Sequence, residues 1–316
     1  MASAPVPCVG GCAASLSYTV FMAGTIRFEA SSALDYFALL VAEDASLSIL
    51  EAAVSVGQDE YPQLDVQGVL AEIDALAARL KRRLPADAVP LQRLRVLNRF
   101  FFHELGFAGN VNHYYDARNS YLHEVLRVRR GIPITLALLY IELAQQIGLV
   151  AQGVSFPGHF LVKLRLNSRQ QQGEVLIDPF TGHSLSREQL SELLLPYHHQ
   201  RGMTGGDGDD EVSLGPFLRA ATGREVLTRL LRNLKEIHRS GEDWAPLLAV
   251  QRRIVALLPQ DWEERRDRGL AYAELGCLGE AAADLSFYLE QCPTAEDRGA
   301  MAERLAELRR AMPDRA

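Results

Sequence analysis

The sequence predicts an α+β fold followed by an all-α domain. Three observations carry this expectation. Up to about Ile147 apolar residues recur at the steps of amphipathic helices, and between Gln152 and Asp178 they alternate instead. Beyond Arg224 the helical period returns with an internal repeat, Pro259 and Pro293 standing 34 residues apart.

The elements follow in order. Ser31-Ser32 offer a cap for a helix over 33–43, and Ser46 or Ser48 for one beginning near Leu47. A long amphipathic helix over 66–84 carries Val69, Leu70, Ile73, Leu76, Ala77 and Leu80 on one face, and Pro85 and Pro90 stop it. A helix over 91–104 ends at Gly106, and the polar, aromatic stretch 110–119 reads as loop. Asn119 or Ser120 caps a short helix over 121–128 that Gly131 terminates. Pro133 then opens a strongly apolar helix that runs to Ile147 and stops at Gly148, since proline suits the first helical position and glycine the end. Strands are expected over 152–156, 159–166 and 174–178, with a polar turn over 167–173. The Gly/Asp-rich run 203–211 lacks the ligand spacing of a calcium loop and reads as linker. In the repeat, Gly269, Tyr272, Gly276, Ala281, Leu285 and Pro293 fall at the key positions of a tetratricopeptide unit.

Domains are therefore expected as a flexible N-terminal segment over 1–30, helices plus an α+β domain over 31–202, a linker over 203–222 and a helical-repeat domain over 223–316. A chain of 316 residues is long enough for two cores. With a net charge of −7 and only three lysines (Lys81, Lys163, Lys235), no basic face points to nucleic acid. No window is apolar enough to span a bilayer, and the first residues lack the basic start of a secretory signal. Cys8 and Cys12 have no second ligand pair beside them, which argues against zinc, and Cys277 and Cys292 fall in helical pattern. A reducing cytoplasm is the expected compartment.

His159 opens one alternating strand after Pro157-Gly158, and Asp178 closes the next before Pro179. If the strands pair as a hairpin, the two side chains lie opposite each other only when the turn centres on Ser168-Arg169. A turn centred on Gln170 would put them on opposite faces unless a bulge intervenes.

Tyr114–Leu122 (YYDARNSYL), Arg129–Tyr140 (RRGIPITLALLY), Gly153–Lys163 (GVSFPGHFLVK) and Leu176–Gly182 (LIDPFTG) resemble the bacterial SirB-type transglutaminase-like family, whose domain precedes tetratricopeptide repeats. The resemblance implies a papain/transglutaminase-like core, a central helix with a small antiparallel sheet, followed by an all-α repeat domain. It also implies a Cys–His–Asp triad in the parent superfamily, with the thiol at the start of the central helix. By that resemblance His159 and Asp178 match the triad His and Asp, while Pro133 stands where the Cys would be. No cysteine lies between Cys12 and Cys277, and Thr135, the nearest hydroxyl, is rotated ~200° around the helix from that position.

Two functional readings follow. In the first the domain is catalytically silent and acts as a binding or regulatory module. Tyr115, Asp116, Arg118, Asn119 and Pro133 then line a retained pocket, and the C-terminal repeats contact a protein or peptide partner. In the second it is an amide hydrolase or transferase using His159 and Asp178 with water, metal-bound water or Thr135. His113, His123, His159, His183, Asp116 and Asp178 offer ligand atoms, but no pair has the helical spacing of a metal site, so neither metal nor cofactor is expected.

Overall fold

The computed structural model describes residues 32–167, 172–200 and 214–312. The expectations for 1–30, for Cys8 and Cys12, for the Ser168-Arg169 turn centre and for the run 203–211 lie outside these residues. Contacts divide the chain into two compact units, one over Ala33–Asp261 and one from Trp262 onward.

The first unit opens with four helices, α1 (Ala33–Leu40), α2 (Ile49–Ser55), α3 (Val66–Lys81) and α4 (Pro90–Asn98). In α3 the Asp65 carboxylate accepts the Gly68 N–H at 3.0 Å, capping the first turn. The face buried by α3 is Val66, Ile73, Leu76, Ala77 and Leu80, close to the stripe the periodicity predicts. A π-helical turn over Arg99–Glu104 extends α4. Next come β1 (Ala108–Gly109) and β2 (Arg130–Gly131), a two-residue parallel pair that brackets the 110–121 loop and α5 (Leu122–Val128). No alternation could have announced so short a pair.

At the centre lies α6 (Pro133–Gln146), in which every residue from Pro133 to Tyr140 is buried. A helix apolar on all sides needs neighbours all round. The sheet β3 (Val150–Phe156), β4 (His159–Asn167) and β5 (Gln172–Ile177) is antiparallel in that order. Phe160, Val162 and Leu164 join the main core with α6, whereas Val154, Phe156 and Leu161 meet Leu190 and Leu194 of α7 (Arg187–Gln200) in a second cluster. The sheet is thus covered on both faces, and in β4 the consecutive residues Phe160, Leu161 and Val162 are all buried.

Two expectations differ from what is seen. Residues 214–222 pack on the sheet: Leu214 is buried in the second cluster, Lys163 Nζ donates to the Leu218 carbonyl at 2.7 Å, and Ala221 N donates to the Gly153 carbonyl at 2.8 Å. The compact units also part at 261/262 and not at 222/223. Helices α8 (Gly223–Ser240) and α9 (Trp244–Leu257) bury Val226, Leu230, Leu234, Val250 and Ile254 in the main core. Their apolar faces close the first unit.

The second unit stacks α10 (Trp262–Glu274), α11 (Leu278–Gln291) and α12 (Arg298–Ala311) around Ala281, Leu285, Leu305 and Leu308. A Cβ at Gly269 would lie 3.0 Å from Asp284 Cβ, so glycine lets α10 approach α11 closely. Arg268 forks onto Asp284 at 2.7 Å and 2.7 Å across the same pair.

Candidate functional site

The start of α6 is sealed by hydrogen bonds. Thr135, at the third helical position, accepts the Ile132 N–H at 3.2 Å and places its hydroxyl 2.8 Å from the Asn119 carbonyl. It is fully buried, and every polar atom within reach of it is main chain. Asn119 in turn gathers the preceding loop. Its Nδ2 donates to the carbonyls of His113 and Tyr114 at 2.6 and 3.1 Å, and its Oδ1 accepts from Asn110 Nδ2 at 2.9 Å. Pro133 fills the first helical position and is buried. A proline there costs no backbone hydrogen bond, but it presents no nucleophilic atom.

His159 and Asp178 are not hydrogen-bonded to each other. Val162 pairs with Ile177 and Lys163 with Leu176, so the register falls between the two turns weighed above. Extended by one pair, it would set Leu161 opposite Asp178 and leave His159 diagonal to it on the same face. Pairing stops at Ile177, however, and Asp178 folds into a turn of its own. Its Oδ1 accepts the Phe180 N–H at 2.9 Å, its Oδ2 accepts the Thr181 hydroxyl at 2.9 Å, and its carbonyl accepts Gly182 N at 2.8 Å. His159 instead faces Phe156 across the Pro157-Gly158 turn. Antiparallel partners share a face, so His159 lies on the side of the sheet covered by α7, where the Tyr197 hydroxyl abuts Gly158. Helix α6 packs against the other side.

A cleft of about 500 Å³ opens beside Ile132, the residue before α6. Tyr114 and Tyr115 form one wall, their rings 5.3 Å apart and nearly perpendicular, and Asn233, Glu236 and Ile237 of α8 form the other. Ser240 closes one end. The tyrosine loop is held from behind by Phe180, whose ring lies 5.9 Å from that of Tyr114 and whose carbonyl accepts Gly109 N at 2.9 Å. A Cβ at Gly109 would come within 2.4 Å of the Phe180 ring, so only glycine admits this contact. The Asp178 turn therefore supports the cleft wall through Phe180. Burial raises the pKa of the Tyr114 phenol, and the Arg229 guanidinium works against that rise.

Of the residues singled out from sequence, Tyr115 lines this cleft and is 80% exposed. Asn119 and Pro133 lie behind it as buried supports. Asp116 and Arg118 are joined to each other at 2.6 Å on the surface, and that guanidinium holds the Asp116 carboxyl below the usual carboxylate range. Sequence reasoning missed the α8 wall altogether. Asn233, Glu236 and Ser240 look like the ordinary wet face of an amphipathic helix, and nothing local to them points to a loop more than a hundred residues earlier. Among the described residues no three His, Cys, Asp or Glu side chains converge as metal ligands.

Comparison with known proteins gives this architecture relatives. The profile of the transglutaminase-like superfamily matches residues 67–232, and that of the tetratricopeptide repeat matches residues 234–306. A UPF0162 protein of Xylella fastidiosa (strain Temecula1) is 35% identical over 260 residues, covering 82% of this chain and 89% of the relative. A UPF0162 protein of Pseudomonas aeruginosa is 30% identical over 264 residues, 83% of this chain and 91% of its own. Protein SirB1 of Salmonella typhimurium is 28% identical over 235 residues, 74% and 81% respectively. No solved structure matches. The chain belongs to the UPF0162, SirB1-type family, with a transglutaminase-like domain followed by a tetratricopeptide-repeat region.

Proposed function

We propose that this protein is a binding module: a catalytically silent transglutaminase-like domain whose cleft beside α6 receives a peptide segment, joined to helical repeats that contact a protein partner. The observation that carries this reading is the start of α6. By the resemblance Pro133 stands where the superfamily's thiol would be, and the Thr135 hydroxyl two residues on is engaged by the main chain of Ile132 and Asn119. Support also comes from the Asp178 carboxylate, which accepts hydrogen bonds from Phe180 N and the Thr181 hydroxyl and, among the described residues, from no imidazole. The cleft fits a binding role because it combines apolar and aromatic walls with a few polar groups. Among the described residues no helix is long and apolar enough to cross a membrane.

The test is to incubate the full chain with peptide pools and weigh both the bound and the free fractions. Peptides are expected to be retained with unchanged mass. Hydrolysis, or the mass loss of amide transfer, that disappears in His159→Ala would overturn catalytic silence.

A further inference from the structure

Along α8, Asn233, Glu236, Ile237 and Ser240 face the cleft. Arg229 precedes them by 4, 7, 8 and 11 residues, the spacing of a single helix face, so it lies on the cleft-facing side of α8, one turn before Asn233. Its charge reaches the Tyr114 phenol on the opposite wall. Arg229 is half-buried, and no carboxylate lies within ion-pair distance of it among the described residues.

Its neighbours differ. Arg118 pairs with Asp116 at 2.6 Å, Arg232 with Asp261 at 3.0 Å, and Arg239 with Glu236 at 2.6 Å. Those three guanidinium charges are neutralised, whereas among the described residues Arg229 has no carboxylate partner. A half-desolvated cation without a counter-charge carries a cost that a bound anion removes. Its planar fork fits a carboxylate with two parallel hydrogen bonds. Asn233 and the Tyr114 hydroxyl are further donors, and Tyr115 and Ile237 offer apolar contact beside them.

We propose that Arg229 anchors a carboxylate in this cleft, and that the ligand is a short peptide segment carrying an acidic group next to an apolar residue. This rests on the cleft being a binding site, as proposed above. The carboxylate has two sources, an acidic side chain or a peptide C-terminus.

Three fluorescein-labelled tetrapeptide pools, each with one fixed leucine, separate them by anisotropy against the full chain. One carries Glu with an amidated end, one Gln with a free C-terminal carboxylate, and one Gln with an amidated end. At least one carboxylate pool is expected to bind about tenfold more tightly than the neutral pool, in keeping with a charge-assisted hydrogen bond. The tighter of the two identifies the source. Arg229→Gln is expected to remove the preference and Arg229→Lys to keep part of it, with both variants melting within a few degrees of the parent. Equal binding of all three pools, or a preference that survives Arg229→Gln, would overturn the assignment of Arg229 while leaving the cleft a binding site. No binding of any pool would overturn the cleft reading itself.

Discussion

His159 faces Phe156 across the Pro157-Gly158 turn, and the Asp178 carboxylate at the end of the next strand belongs to a different turn. If the pair is uncoupled, a double-mutant cycle will show it. Asp178→Ala is expected to cost about 1–2 kcal/mol, because the half-buried Phe180 N–H and the Thr181 hydroxyl lose their acceptor. His159→Ala should change stability by less than about 1 kcal/mol, and the two should add to within about 0.5 kcal/mol in urea unfolding. A coupling energy well above that would mean the imidazole and carboxylate do meet.

The Thr135 hydroxyl joins α6 to the loop that carries the two cleft tyrosines. Thr135→Val preserves the shape but strips the Asn119 carbonyl and the Ile132 N–H of their side-chain partner, at an expected cost of about 1–3 kcal/mol. Thr135→Ser should cost less. Hydrogen exchange should speed up across residues 113–119 in the valine variant and not elsewhere.

Arg253 is fully buried, and its guanidinium forks onto Asp59 at 2.5 and 2.8 Å while its face covers the Phe37 ring at 5.0 Å. Asp59→Ala leaves that cation in the core without a counter-charge, an expected loss of about 3–5 kcal/mol by chemical denaturation. Arg253→Met removes the buried charge itself and leaves a carboxylate that water can reach. It should be the milder change.

Mild acid should weaken the first unit. His238 is buried and His123 largely so, their four ring nitrogens are buried without a hydrogen-bond partner, and burial pushes both pKa values down. Glu124 partly opposes this at His123, where Arg127 adds to it, and Glu60 and Asp243 partly oppose it at His238. The unfolded chain therefore takes up protons first, at the ordinary histidine value of about 6.5, and stability falls as pH drops from there toward the lower folded values. Unfolding free energies at pH 7.5 and 5.5 should show the loss, and His123→Phe or His238→Leu should shrink it. The Glu225 carboxyl, held down to about 2 by Arg219 and the Thr222 N–H, acts in a separate window from the usual carboxylate range down to that value.

Much of the fold is legible in the sequence because it rests on local rules. The 3.6 period of α3, the proline that opens α6 and the switch to alternation after Gly148 each fix an element without reference to distant residues. The same holds for the repeat, where Gly269 marks a close helix crossing. Tertiary structure decided the rest. The hairpin register, a single-residue question, set whether His159 could meet Asp178, and the end of the ladder at Ile177 freed that carboxylate for its own turn. Helices α8 and α9 read as part of the repeat domain, yet they close the first core, because an apolar stripe shows that a face will be buried without naming what buries it. The cleft exists only through that choice. Its walls come from segments more than a hundred residues apart, and only the packing of α8 beside the tyrosine loop brings Arg229 and Tyr114 to one place.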